Sequence, residues 1–451
     1  MTSIAFIAGF LAFLIGACAF LPVGILAWTW LTLQNPHQVI GVDLPLNLAI
    51  VIACVIGLIT NRKRATVWAD GTVILMMLLL LHSGLTTMLA LSPDYSYPYF
   101  DRMWKTMALA GFIVLFMQNR TRLQALVWVI VASIGMLALK GSAFSILTAG
   151  QFRVWGPIGS QIHDNNHFAG AICMTIPLCF YLVATTKNAM VKLALRCLGW
   201  SLPLAALFTY SRGGLLTLLA VAGCYFLQTK RKLPMVIAAV AVFLVLLPMM
   251  PSHWLDRMNS ISETIGDSSK ADESVQGRFN AWYVYSRVAM DRPLIGGGFR
   301  APELQGVWNT YLNTDNAKAA HNNIFQVLGE HGFLGLGLYF LIILLAFKNV
   351  AAIIVRTRHI PELGWSRSLA IACGISLFAY MVAGLTVSIP YYDLFIVLVV
   401  FIASLRRLVV QQISSRERAR NPADARSPYG ATPFPPPTGH AVPSIQRGAA
   451  R

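Results

Sequence analysis

Apolar stretches of membrane-spanning length recur along almost the whole chain, at residues 44–60, 71–90, 104–118, 123–139, 168–186, 193–209, 213–228, 234–250, 324–347, 368–388 and 392–410. A hydrocarbon core about 30 Å thick takes roughly 20 helical residues, and within it only helices or closed barrels satisfy every backbone polar group. Runs of this length fit helices, so the expected fold is an all-α polytopic membrane protein. Composition agrees: of 451 residues, 56% are hydrophobic and only 12% charged, where a soluble domain carries about 25% charge. Residues 4–33 form either one span bent at Pro22 or a short hairpin; with the bent span, which we adopt, the expected count is about twelve crossings.

The net charge of +17 is patterned. Basic clusters fall at 61–64, 119–122, 187–196, 229–232 and 348–367, and again after Arg406, so that every second connection is basic. Cytoplasmic loops carry that excess. The alternation puts residues 91–103, 141–167, 210–212 and 251–321 on the outer side and both termini in the cytoplasm. The long outer segment is nearly charge-balanced, which makes the basic excess a topology signal and gives no nucleic-acid footprint. The expected organisation is N-terminal transmembrane helices over 1–250, a large outer loop over 251–322, C-terminal transmembrane helices over 323–410 and a basic tail over 411–451. The tail, rich in Arg, Pro and Gly, has too little apolar content to fold and is expected to be disordered. All seven cysteines lie in or beside apolar runs without metal-ligand spacing, as small buried hydrophobes. No cleaved signal peptide, internal repeat or nucleotide-binding glycine loop stands out.

Polar chemistry concentrates in the outer loops, in four stretches. In "RVWGPIGSQIHDNNHFAG", residues 153–170, Asp164, Asn165 and Asn166 suit an N-cap. Arg153 and His167 gain nothing from a helix N-terminus, so they indicate either a nearby anion or simple interfacial solvation. In "YSRGG", residues 210–214, a tight turn would hold Arg212 at membrane depth, where an unpaired charge costs at least about 2.5–3.5 kcal/mol. Function and snorkelling to lipid phosphate are the two readings, and its glycines would admit a close ligand.

In residues 274–300, Val275, Phe279, Trp282, Ser286 and Met290 share one face of an amphipathic helix that would lie on the outer leaflet until Pro293 stops it. Arg278 sits near its start, and "IGGGF" would supply a flexible hinge before Arg300. Finally, in "NTDNAKAAHNNIFQVLGEHGFLGLGLYF", residues 313–340, Asn322 or Asn323, Gln326 and Glu330 recur along one stripe of a helix starting near His321. Such a stripe faces a wet cleft, unless Asn322 merely caps and the true span starts at Gly332. A neutral imidazole accepts a proton near neutral pH, which few other side chains do.

Clustered guanidinium groups without an Asp-x-Asp or a tight carboxylate pair suit a diphosphate better than a Mg²⁺ site. Outside the membrane there is no ATP, so the leaving group must arrive activated, as in a lipid-linked diphosphate sugar.

"AHNNIFQVLGEHGFLGLGLYF", the Arg-Gly pair in "SRGG" and the segment "GRFNAW…DRPLIGGGF" resemble the O-antigen ligase and O-antigen polymerase superfamily of bacterial membrane glycosyltransferases, over roughly residues 155–347. The 153–170 stretch is similar to its O-glycosylation ligase branch. The resemblance implies an enzyme of the cell inner membrane with a long periplasmic loop that needs neither metal nor cofactor. It would transfer a glycan from undecaprenyl pyrophosphate, with inversion, to lipid A–core oligosaccharide. It also implies His321 as base and Arg212 and Arg278 on the pyrophosphate, joined less surely by Arg153 and Arg300, with Asn322, Gln326, Glu330 and His167 in support. Gln326 or Glu330 would orient the imidazole. Protein O-oligosaccharyltransferase and O-antigen polymerase are the neighbouring alternatives. A lipid or anion transporter is the remote one, and the paired broken helices of two related halves that would mark it are not evident.

Overall fold

The computed structural model describes residues 2–39, 41, 46–60, 70–230, 232–233, 237 and 273–420. Every regular element among them is helical: α1 (Thr2–Ala19), α2 (Leu21–Gln34), α3 (Pro36–Val39), α4 (Leu46–Thr60), α5 (Gly71–Met88), α6 (Pro93–Phe116), α7 (Arg120–Leu147), α8 (Asn165–Thr185), α9 (Ala189–Phe208), α10 (Arg212–Gln228), α11 (Glu273–Asp291), α12 (Gln305–Tyr311), α13 (Asn323–Arg356), α14 (Gly364–Gly384) and α15 (Asp393–Arg420). Among the described residues, six helices are long and apolar enough to cross a membrane, in α5, α7, α8, α9, α13 and Pro361–Gly384, and four shorter apolar helices accompany them. The expected span at 234–250 lies, but for Ile237, outside the described residues, as do residues 61–64 of the basic pattern.

The helix ends follow local chemistry. Asp70, Asn119, Asp164, Asn188, Ser211 and Asn322 each cap a helix start through a side-chain oxygen, satisfying backbone N–H groups that have no partner within the helix. The carboxylate of Asp70 also pairs with Arg406 at 3.1 Å, which ties the start of α5 to α15. Helix α8 is buried along most of its length and packs against α7, α9, α10 and α14. Helix α13 packs on α5, α11 and α14.

Three expectations are corrected. Residues 4–33 are not one bent span. The chain breaks at Phe20, and the rings of Phe13 and Trp30 on the two sides approach to 6.5 Å. A continuous helix would hold residues so spaced about 25 Å apart at 1.5 Å per residue. The two helices fold back as a hairpin, and Pro22 sits harmlessly in the first turn of α2, where its missing N–H has no role.

The triple glycine is no hinge. Gly297 N donates to the Gly329 carbonyl at 2.8 Å and Gly298 N to that of Glu330 at 2.9 Å. A Cβ on Gly296 would fall 2.6 Å from the carbonyl carbon of Glu330, so these glycines permit backbone to lie on backbone. Their partners are carbonyls that α13 cannot use itself, because it breaks at Gly332 (φ 68°, ψ −170°), where Phe333 N turns to the Pro293 carbonyl at 2.7 Å.

The helix does not end at 411 either. Residues 410–420, in a second unit spanning Val410–Arg451, are helical, since no breaker precedes Pro422. The expected disorder of the remaining tail falls on residues 421–451, which lie outside the described residues.

Helix α11 is amphipathic as expected and ends before Pro293, but its buried face is the one opposite the aromatic stripe. Gly277, Ala281, Val284, Tyr285 and Val288 are buried, while Phe279 and Met290 stay exposed. Ala281, Val284 and Val288 close a small core with Trp308 of α12.

Candidate functional site

His321 precedes the N-cap of α13 in a left-handed conformation (φ 46°), which a residue bearing a Cβ rarely adopts. Contacts on both sides hold it there. The indole of Trp282 donates to the Ala320 carbonyl at 2.7 Å and stacks on Phe325 at 4.9 Å. Asn322 accepts from Ile324 N at 2.8 Å and donates to the Leu385 carbonyl. The imidazole itself makes no hydrogen bond among the described residues. A fixed backbone thus presents an uncommitted ring.

That ring opens on a cavity of about 420 Å³. Of the expected site residues, His167, Arg300, His321, Gln326 and Glu330 line it, with Tyr99, Arg102, Gln161, Asp164 and Tyr391. The loops around it are those the charge alternation put on one side, together with the 388–392 turn. Arg278 and Arg212 are not among its lining residues; Arg278 acts electrostatically on His321, and Arg212 on Arg278. Burial pushes the His321 imidazole down to about 4, and the charges of Arg278, His167 and Arg300 push the same way against Asp164. Burial and Arg212 likewise lower Arg278. Neither Arg212 nor Arg278 forms an ion pair among the described residues. Arg212 is also the first residue of α10, where the positive end of the helix adds to the charge. A guanidinium at a helix N-terminus with a second one beside it is an arrangement that can hold an anion.

Other assignments change. The glycines of "SRGG" are occupied by packing: a Cβ at Gly213 would collide with Thr386 and one at Gly214 with Ala169. Arg153 lies near the phenol of Tyr210 and does not line the cavity. Asn322 is a cap. Gln326 and Glu330 do not orient His321; Gln326 donates to Glu330 Oε1 at 2.9 Å, and Arg300 N donates to the same oxygen at 2.9 Å. The guanidinium of Arg300 pairs with Glu303 at 2.5 Å and donates to the Tyr99 hydroxyl at 3.1 Å. Burial opposes its charge, but Glu303 outweighs that and holds Arg300 above the ordinary arginine range.

The acid that faces His321 is Asp164, which the sequence suggested only as a cap. It does cap α8, accepting from Asn166 N at 2.9 Å and His167 N at 3.3 Å, and it acts on both imidazoles. His167 Nδ1 donates to the Gln161 carbonyl at 3.0 Å, which fixes the ring and leaves Nε2 for the cavity. Tyr99, Gln161 and Tyr391 had no signal in the sequence beyond their place in outer segments.

The arrangement offers a proton acceptor beside paired cations at the mouth of an apolar bundle. The family described as O-antigen ligase matches residues 197–340. That region, about a third of the chain, is similar to the O-antigen ligase family. A second family, described only as of unknown function, matches residues 1–187. Comparison with curated proteins gives no match. The O-antigen ligase region carries Arg212, Arg278, Arg300 and His321, while His167, Asp164, Gln161 and Tyr99 come from the N-terminal match. The cavity is therefore built by both regions together with the 388–392 turn, which lies outside either match.

Proposed function

We propose that the protein is a glycan ligase of the cell inner membrane that transfers O-antigen polysaccharide from undecaprenyl pyrophosphate to lipid A–core oligosaccharide. It is a multi-pass membrane protein with its basic C-terminal tail in the cytoplasm and the cavity at the periplasmic face. The observation that carries this reading is an uncommitted imidazole, His321, opening on a cavity within the electrostatic reach of Arg278, which Arg212 neighbours in turn, both arginines lacking an ion-pair partner among the described residues.

The acceptor hydroxyl attacks the anomeric carbon and passes its proton to His321. The bond from that carbon to the pyrophosphate oxygen breaks with its electron pair, and inversion follows from attack opposite the leaving group. Arg212 and Arg278 stabilise the charge that builds on the departing diphosphate, and Arg300 helps shape the wall. The dianion also offsets the positive field that keeps His321 weakly basic, so donor binding raises the affinity of the imidazole for the acceptor's proton. The lipid tail lies among the spans and the glycan among the outer loops.

Deleting the gene tests the reading. Loss of the long-chain lipopolysaccharide ladder, restored by the wild-type gene and not by a His321→Ala copy, is the expected result. An unchanged ladder contradicts ligation to lipid A–core, and a ladder restored by the His321→Ala copy contradicts the role of the imidazole.

A further inference from the structure

A second cavity, about 270 Å³, shares Arg102, Ser160 and Gln161 with the first. Its remaining walls come from α2, α4, α6 and the start of α15, and every lining residue but Asp393 lies within residues 1–187, the region matched only by a family of unknown function.

Its charges are balanced, whereas Arg278, which acts on His321, and its neighbour Arg212 have no ion-pair partner among the described residues. Lys105 pairs with Asp101 at 2.5 Å, and Arg102 acts on the buried Asp393. A diphosphate gains little from a balanced set, whereas a sugar's hydroxyls use acceptors and donors side by side. Asn47 Oδ1 is buried without a hydrogen-bond partner among the described residues, an acceptor awaiting a donor. The indole of Trp28 supplies one apolar wall. The volume sits near the lower end of small-ligand pockets, roughly 300–1,000 Å³, and suits one terminal sugar unit.

The shared wall also connects the chemistry of the two cavities. Gln161 Oε1 accepts from Asp393 N at 3.0 Å in the second cavity, and its carbonyl holds His167 in the first. A ring seated against Asp101 and Asn47 would reach past Gln161 toward His321.

We infer that the cavity between α2, α4 and α6 is the acceptor subsite, where the end of the acceptor glycan is held by Asn47, Asp101 and Lys105 so that a hydroxyl enters the catalytic cavity. The inference rests on the glycosyl-transfer reading and makes the N-terminal region the part of the chain that selects the acceptor.

The test uses two readouts on the full-length protein in detergent. In the first, core oligosaccharide released from lipid A is titrated by calorimetry into the His321→Ala protein, alone and combined with Asn47→Ala or Asp101→Asn. Binding weakened at least tenfold by either second substitution is expected. In the second, transfer is followed while donor and acceptor concentrations are varied separately. Asn47→Ala and Asp101→Asn should raise half-saturation for the acceptor about tenfold and leave that for the lipid-linked donor unchanged. Unaltered oligosaccharide binding, or a shift confined to the donor, overturns the assignment. Thr32→Val, which alters the cavity wall without touching a charge, should weaken the same acceptor terms, and no effect there counts against the proposal. Binding without transfer to any acceptor would leave the subsite standing and sink the ligase reading.

Discussion

The backbone N–H of Arg300 donates to Oε1 of Glu330 at 2.9 Å, so a buried carboxyl on α13 holds the loop that carries a cavity-lining guanidinium. Gln326 shares that oxygen. Glu330→Ala leaves two buried donors unanswered, at about 1–3 kcal/mol each, and should lower the melting temperature in detergent and reduce transfer. Glu330→Gln keeps an acceptor oxygen and should recover most of both. Equal losses in the two variants would show that the carboxylate itself matters.

His321 stays neutral down to about 4. The sign follows: the base is free above that value and is lost as pH falls through it, so kcat/KM should be level from about pH 5 to 8. Arg278→Gln removes a positive neighbour, which eases protonation of the imidazole. The acidic limb of the residual activity should then move to higher pH. A limb that stays fixed or moves to lower pH would disconnect the two residues.

Arg212 should tolerate lysine only in part. A guanidinium pairs two phosphate oxygens at once and an ammonium does not. Arg212→Ala should cost about 10²- to 10³-fold in transfer rate, as loss of one charge-stabilising donor does elsewhere, with Arg212→Lys between it and wild type. Steady-state transfer assays on purified protein rank the three, and Lys at wild-type rate would deny bidentate pairing.

Gly332→Ala should destabilise the fold. The residue holds φ at 68°, and a Cβ there would lie 2.4 Å from the Pro293 carbonyl oxygen. Forcing that conformation on a residue with a side chain costs of order 1–3 kcal/mol before the clash is counted. Thermal melting of the purified variant checks it.

Most of the helices were legible because membrane burial writes them as long apolar runs. Gly71–Met88 and Asn165–Thr185 fall within a few residues of their sequence ranges. The hairpin at Phe20 was not legible, because a proline two residues on is equally at home in a bent helix and at a helix start. His321 and Arg212 stood out as ionisable groups at the edges of apolar runs, while Arg278, near the start of an amphipathic helix, came forward through the family resemblance. Asp164, Gln161 and Tyr391 did not, since a cap, an amide and a phenol in outer segments have ordinary duties. Only the folding of 159–164 onto α6 and α15 gives them a second one. The triple glycine misled for a related reason: glycine marks close approach as often as freedom, and only the partner backbone at Gly329 and Glu330 distinguishes the two.

The central claim is that His321 and the two neighbouring arginines serve one transfer step. It is tested most directly by purified wild-type, His321→Ala and Arg212→Ala proteins in proteoliposomes supplied with undecaprenyl-pyrophosphate-linked glycan and lipid A–core, with a chelator present throughout. The wild type should form the glycan–core product undiminished by the chelator, and the two variants should form almost none while melting like the wild type. Product from both alanine variants at the wild-type rate would contradict the account.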